Sequence, residues 1–374
     1  MRNAAKVLIL DGGLGTSLED KYHVNFAGAK TPLWSCHLLL SDQPTLLACQ
    51  SDFGEAGADI ITTATYQASI DGFSATQTAD WPRGVSIANI GQFLEDAVLI
   101  ANKAAQSRIP GSGAALALGP YGATMVPSTE YSGKYDMDHG NSESLANWHM
   151  ERFLLFAKVE GLLHRIRYVA FETIPRLDEI MAIRKVLEAG LTGRTQDMLS
   201  VLVPVWISCV FPADGDKLPD GSSVEDVVAA VLSNQFSAYV PWGIGINCTK
   251  VGKLASLVAR FEKAVNGLVQ LGALAAWPSL VLYPDGTNGE VYNTATKAWE
   301  LPDGQKAPET PWEVELANVV EVTNKSGRWR SIVVGGCCKT SDSDIARLRK
   351  VLVERGIVEK TAADEMREKR ESDG

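Results

Sequence analysis

The sequence predicts a single (β/α)8 barrel, on three observations. Eight short apolar runs are spread along 374 residues, segments of helical periodicity lie between them, and the chemically unusual residues gather where the runs end. Runs that are continuously apolar belong to strands buried on both faces, as in a parallel sheet. A strand-helix alternation leaves two architectures, the closed barrel and the doubly wound open sheet; the count of eight favours the barrel. In a barrel the functional residues lie at the C-terminal ends of the strands.

In chain order the runs are Val7–Leu10, Asp59–Thr63, Ala115–Leu118, Tyr168–Phe171, Val203–Ser208, Gly243–Asn247, Leu280–Tyr283 and Ser331–Val334. At or just beyond their ends stand Asp11, Thr62 and Thr63, a GPYG loop, Glu172, Cys248, Asp285 and the pair Cys337-Cys338. Between the first two runs, Ser41-Asp42-Gln43-Pro44 reads as a helix start, with Leu46, Leu47 and Phe53 on its apolar stripe and Gly54 and Gly57 at its end. Further helical segments are Ser142–Arg165, Arg176–Ala189 (ending at Gly190), Ser222–Leu232, Lys250–Val265, Trp312–Val322 and Ser341–Val353. Ser222-Ser223 with Glu225 reads as a capping arrangement. The last segment opens SDSD and continues IARLRKVL, the charge order that a helix dipole favours.

Long loops are expected at 72–84, 122–141, 211–221 and 285–311, and loops of this length are often functional. The stretches 190–200, 211–221 and 266–278 read as lineage-specific excursions without an assigned role. The barrel domain is expected to span 1–356. The charged stretch 357–374 reads as a solvated frayed helix or a disordered tail.

Composition excludes several classes. A net charge of -10 argues against nucleic acid as a partner. No apolar stretch approaches the length of a membrane span, and Val7–Leu10 is too short for a signal h-region, so a cytoplasmic protein is expected. Six cysteines in a reducing compartment are expected to be thiols or metal ligands, not disulfides. His23, His37, His139, His149 and His164 show no ligand spacing, and His149 and His164 read as surface or packing residues on helices. No phosphate loop or serine elbow is present, and DGGLG at Asp11–Gly15 lacks the full dinucleotide fingerprint.

The cysteines divide by context. Cys36, Cys49 and Cys209 read as small buried hydrophobes. Cys248 and the pair Cys337-Cys338 end predicted strands six and eight, among glycine and polar residues. In a barrel those ends converge on one mouth, so the three can form a metal or reactive-thiol site. Three thiolate ligands would leave a zinc ion one open position, as catalytic sites do.

These segments resemble the homocysteine S-methyltransferases: LDGGLGTSLE at Leu10–Glu19, TTATYQAS at Thr62–Ser69, FETIP at Phe171–Pro175, GINCT at Gly245–Thr249 and VGGCC at Val334–Cys338. The match runs from Leu10 to about Leu352. The resemblance implies one Zn²⁺ per chain on Cys248, Cys337 and Cys338, with the thiol of L-homocysteine taking the open position. It further implies that Asp11 and Glu172 hold the substrate ammonium, although Asp11 by itself also reads as a turn residue before two glycines. No side chain is expected to act as acid, base or nucleophile.

GPYGATMVPSTEYSGKY at Gly119–Tyr135 is similar to the branch that uses sulfonium donors, S-methylmethionine or S-adenosylmethionine, without cobalamin. A thiol methyltransferase using betaine or another donor, or a non-catalytic zinc- or thiol-binding protein, are the alternatives. Tyr66, Tyr121, Tyr131 and Tyr135 fall in mouth loops, where they serve either a sulfonium cation or loop packing. The family commonly has glycine after the cysteine pair; this chain has Lys339.

Overall fold

The computed structural model describes residues 5–26, 32–105, 111–191, 203–287, 291–293, 298–300 and 309–373. All eight apolar runs are strands: β1 (Lys6–Ile9), β2 (Ile60–Thr62), β3 (Gly113–Leu118), β4 (Tyr168–Ile174), β5 (Val205–Cys209), β6 (Gly243–Lys250), β7 (Ser279–Asp285) and β8 (Ser331–Val334). Each pairs in parallel with its neighbours in the order β1-β8-β7-β6-β5-β4-β3-β2. The two ends of that order meet. Leu10 bridges Ile60 in parallel. The Asp59 N–H donates to the Ile9 carbonyl at 2.7 Å and the Asp11 N–H to the Ile60 carbonyl at 3.0 Å. The sheet is therefore a closed barrel, and the open sheet is excluded.

Alternation along each strand explains why the runs are apolar throughout. Leu8, Leu10, Ile60, Ala115, Tyr168, Ala170, Trp206, Val281, Tyr283 and Val333 form one buried cluster. Val7, Ile9, Ile61, Leu116, Val169, Phe171, Ile207 and Ile332 belong to a second, shared with the helices. Odd and even positions thus serve the barrel interior and the helical layer in turn. Trp206 fills the interior beside Gly243 of the neighbouring β6; further along β6 a Cβ on Gly245 would lie 2.1 Å from the Ser208 hydroxyl, so glycine is required there.

The helices follow the predicted order, with local corrections. Within the expected start, Asp42 caps the helix Gln43–Ala56, and Gly57 ends it at φ 100. The capping box of Val224–Leu232 is Ser223 with Asp226, not Glu225, because only the third helical position reaches back to the cap. Gly190 lies within the helix Leu177–Leu191 instead of ending it. The rest of the 190–200 excursion lies outside the described residues. The 266–278 stretch is partly helix, since Leu254–Gln270 runs into it. Between β2 and β3 stands the helix Ile87–Ala104, absent from the sequence reading; its start carries no side-chain cap bond to announce it. The 285–311 loop contains a short antiparallel pair, Val291–Asn293 with Ala298–Glu300. Among the described residues no helix is long and apolar enough to cross a membrane.

The charged tail is helical, one of the two forms expected, but it is anchored and not simply solvated: the helix Ala362–Asp373 is held by a buried ion pair. The Arg349 guanidinium donates to both Asp364 oxygens at 2.7 and 2.9 Å and to the Gly57 carbonyl at 3.1 Å. Asp364 also caps its own helix through Thr361. The stretch is polar because its anchor is electrostatic, which a charge count cannot distinguish from a solvated face. Burial raises the Asp364 carboxyl, but Arg349 and Thr361 outweigh it and hold the group down at about 2.

Asp364→Asn should therefore lower unfolding stability by about 2–3 kcal/mol at neutral pH, since it leaves a buried guanidinium short of charge. A depressed carboxyl stabilises above its unfolded value and loses that contribution as pH falls through its folded one. The gap between wild type and variant should be full above a pH of about 4 and close as pH falls through about 2. Urea unfolding at several pH values measures it; equal stability at neutral pH would show the tail to be merely solvated.

Candidate metal centre

Regular alternation places Glu172 on the interior face with Tyr168 and Ala170, and Asn247 with Gly243 and Gly245. The next residue on each strand should point the other way. Both strands break the rule there. On β4 the register advances three residues, Phe171 to Ile174, against two on β5, Ile207 to Cys209. On β6 it advances three, Asn247 to Lys250, against two on β7, Tyr283 to Asp285. Each extra residue is a bulge that re-aims a side chain. The bulges hold the left-handed residues Thr173 (φ 62) and Cys248 (φ 46). Cys248 is turned into the mouth, where it meets the cysteines that follow β8.

The sulfur atoms of Cys248, Cys337 and Cys338 lie within 4.8 Å of one another. Cys248 and Cys337 are joined as a disulfide, and Cys338 is a free thiol. Of the cysteines expected to be thiols or metal ligands, Cys36, Cys49, Cys209 and Cys338 are thiols, whereas Cys248 and Cys337 are paired with each other, because crowding three sulfurs at one point puts two in bonding reach. Cys36, Cys49 and Cys209 are buried, as expected of packing residues. Burial pushes the Cys36 and Cys49 thiols up to about 12.

Asn247 binds the sulfur cluster to β4. Its Oδ1 accepts from the Thr173 N–H at 2.8 Å, and its Nδ2 donates to the Thr173 hydroxyl at 2.8 Å. The same Nδ2 lies 3.4 Å from the Cys248 sulfur and 3.9 Å from that of Cys337. The Thr173 hydroxyl reaches the Cys248 sulfur at 3.8 Å. On the other side, the Tyr131 hydroxyl lies 3.7 Å from the Cys338 sulfur.

The loop after the pair explains Lys339. Its φ is 62, a backbone that glycine adopts freely. The lysine is held there by its N–H on the Thr16 hydroxyl at 2.9 Å and its ammonium on Asp20 at 2.7 Å.

Two buried carboxyls stand at the ends of β1 and β4. Burial raises Asp11 to about 7, against the Thr62 N–H and hydroxyl at 2.7 and 2.9 Å. Burial and then the charge of Asp11 raise Glu172 to about 8, against a hydrogen bond from Tyr283. A third buried carboxyl, Glu130, is raised by burial to about 7 and escaped the sequence reading. Asp285 accepts from the Thr287 hydroxyl at 2.6 Å and takes no place in the sulfur cluster.

Polar residues on two helices support the mouth. The buried Arg152 guanidinium donates to the carbonyls of Thr65, Tyr66, Ala68 and Gly119, clamping the loops after β2 and β3. The Glu179 carboxylate takes the Tyr121 N–H at 2.7 Å, the Tyr135 hydroxyl at 2.5 Å and His149 Nε2 at 3.0 Å. Tyr121 and Tyr135 thus pack the loop, whereas Tyr131 borders the sulfurs. A lone arginine and a histidine in an apolar helical segment were the available signals, and His149 is the packing residue expected.

The donor set suits a soft, thiophilic cation. Burial pushes the Cys338 thiol up to about 12, so a cation is needed to keep it a thiolate at neutral pH. Among the described residues no fourth His, Cys, Asp or Glu joins the group. Three sulfurs without a fourth protein ligand is the pattern of a centre that binds something else.

The profile described as homocysteine S-methyltransferase matches residues 8–352. The chain belongs to that family. It is thus a methyltransferase. It is 28% identical to homocysteine S-methyltransferase 1 of Brassica oleracea var. italica, over 93% of this chain and 94% of that protein. It is 30% identical to homocysteine S-methyltransferase 3 of Arabidopsis thaliana, over 92% of this chain and 89% of that protein. The metallated form of the Escherichia coli homocysteine methyltransferase MmuM superposes with a TM-score of 0.62 at 25% identity, covering 92% of this chain and 96% of that one. The oxidised form of MmuM superposes with a TM-score of 0.61.

Asn247→Ala should weaken Zn²⁺ binding by the reduced protein about 10- to 100-fold, the usual cost of losing a residue that orients metal ligands. Competition against a chromophoric chelator measures this. Unchanged affinity would mean that the backbone alone places the sulfurs.

Proposed function

We propose that the chain transfers a methyl group from a sulfonium donor, S-methylmethionine or S-adenosylmethionine, to the thiol of L-homocysteine, forming methionine. The observation that carries this reading is the sulfur cluster with no fourth protein ligand, in a chain of the homocysteine S-methyltransferase family. Cys248, Cys337 and Cys338 would hold one Zn²⁺ once the Cys248–Cys337 bond is reduced. Bound there, zinc supplies Lewis acidity that keeps a nearby thiol deprotonated at neutral pH. A reducing compartment, the cytoplasm, suits that state.

The protein side chains bind, orient and exclude water. Asp11 and Glu172 take the homocysteine ammonium between them. Burial makes both reluctant to ionise without a cation, and the ammonium repays that cost with charge-assisted hydrogen bonds. Asn247 and Thr173 fix the sulfurs from one side and Tyr131 borders them from the other. The homocysteine sulfur attacks the donor methyl carbon in line. A new C–S bond forms, the old one breaks, and its electron pair returns to the donor sulfur, which becomes a neutral thioether. The thiol proton leaves to solvent. An anion and a sulfonium neutralise each other in this step, so a dry mouth lowers its barrier.

Cys337→Ala should lose both bound zinc and methionine formation, and zinc X-ray absorption on the wild type should show a changed metal environment on adding homocysteine. An unchanged environment would mark a closed structural site and defeat the proposal. Asp11→Asn and Glu172→Gln should each raise the KM for homocysteine about tenfold or more, the scale of a hydrogen bond to a charged group, with the donor KM little changed. Parallel assays with S-methylmethionine, S-adenosylmethionine, betaine and methylfolate separate the donors; activity with betaine alone would overturn the sulfonium assignment.

A further inference from the structure

We propose that Glu130, on the loop after β3, accepts the α-ammonium of the methyl donor and so forms a second cation subsite, distinct from Asp11 and Glu172. The inference rests on the sulfonium-donor reading above and assigns its amino-acid end.

Glu130 is only 8% exposed, and its Oε2 has no hydrogen-bond partner. It is the one carboxylate oxygen in that position among the described residues. Buried polar groups are almost always satisfied, so an orphaned carboxylate oxygen points to a donor that the chain itself does not supply. No ion pair with an arginine or lysine is found for it among the described residues.

Its place is fixed and close to the chemistry. The next residue, Tyr131, has its hydroxyl 3.7 Å from the Cys338 sulfur. The charge of Glu130 is felt at Tyr66, Tyr131 and Cys338. The turn that carries it is pinned to Gly122, whose carbonyl accepts the Thr129 N–H at 2.9 Å. A Cβ at Gly122 would come within 3.0 Å of the Glu130 nitrogen, so this close approach needs glycine.

Asp11 and Glu172 act on each other, with Thr62 and Tyr283 as partners, which makes them one locus. Glu130 is another; Ser128 serves it and leaves only its Oε2 without a partner. Its unmet need is for a hydrogen to accept. A trialkylsulfonium has no N–H or O–H, whereas the α-ammonium of S-methylmethionine or S-adenosylmethionine has three. The ammonium is therefore the group that Glu130 binds, and the sulfonium is left to face the sulfur cluster.

The test compares S-methylmethionine with 4-dimethylsulfoniobutyrate, a sulfonium of the same chain length that keeps the carboxylate and lacks only the amine, in the reduced, zinc-loaded wild type and in Glu130→Gln. For the variant, KM and equilibrium Kd for S-methylmethionine should rise about tenfold or more, with the homocysteine KM unchanged and with kcat/KM for the deaminated donor equal to that of wild type. An equal loss with both donors would assign Glu130 to the sulfonium instead, and a rise in the homocysteine KM would assign it to the acceptor; either overturns the proposal. Wild type alone gives a second measurement that does not depend on the variant folding: it should bind the amino donor about tenfold more tightly than the deaminated one, and equal affinities refute the inference. A wild type active with S-methylmethionine but indifferent to the substitution sinks this proposal alone. A wild type inactive with every sulfonium sinks the functional reading beneath it.

Discussion

The carboxamide of Asn247 joins two strand ends that regular pleating would keep independent. It closes a two-bond ring with Thr173 on β4 and reaches the sulfur of Cys248 on β6 and that of Cys337 after β8. Both backbones it touches are bulged and left-handed. Non-glycine residues adopt that conformation at a cost of order 1 kcal/mol or more each. The ring of hydrogen bonds and the packed barrel beneath it hold the strain in place. Were the bulges ironed out, Cys248 would turn toward the helical layer and the sulfur cluster would lose one member.

Everything around the mouth extends that constraint outward. Arg152 ties the loops after β2 and β3 to a helix, and Glu179 ties the 121–135 loop to the same helix through His149. Glycines permit the approach: Cβ atoms at Gly335 and Gly336 would strike Leu10, Asp11 and Thr340. Lys339 shows the reverse solution, a side chain tolerated at positive φ because Thr16 and Asp20 hold it. Charge is handled likewise. Three carboxyls raised by burial to about 7 or 8 line a site whose proposed ligands are cations, so binding and ionisation reinforce each other.

Much of this was readable in the chain. Continuous apolar runs gave all eight strands, because both faces of a barrel strand are buried and alternation carries no polar signal. The strand ends gave the three cysteines. Boundaries were less legible: Asp226 completes the capping box with Ser223 where Glu225 was expected, since capping depends on which side chain reaches a given N–H. The anchoring of the tail helix was not legible because charged residues in a helix look alike whether solvated or paired; Arg349 comes from another helix.

The sequence by itself determined the alternation, the order of the strands and the identity of the sulfur atoms, because these follow from local periodicity and residue type. It could not determine that Asn247 and Thr173 orient those sulfurs, that Arg152 and Glu179 brace the mouth, or that Glu130 is buried without a partner. Most of those facts depend on contacts between residues 30 to 90 positions apart. Only closure of the barrel, which sets the strand ends side by side, decides which of them meet.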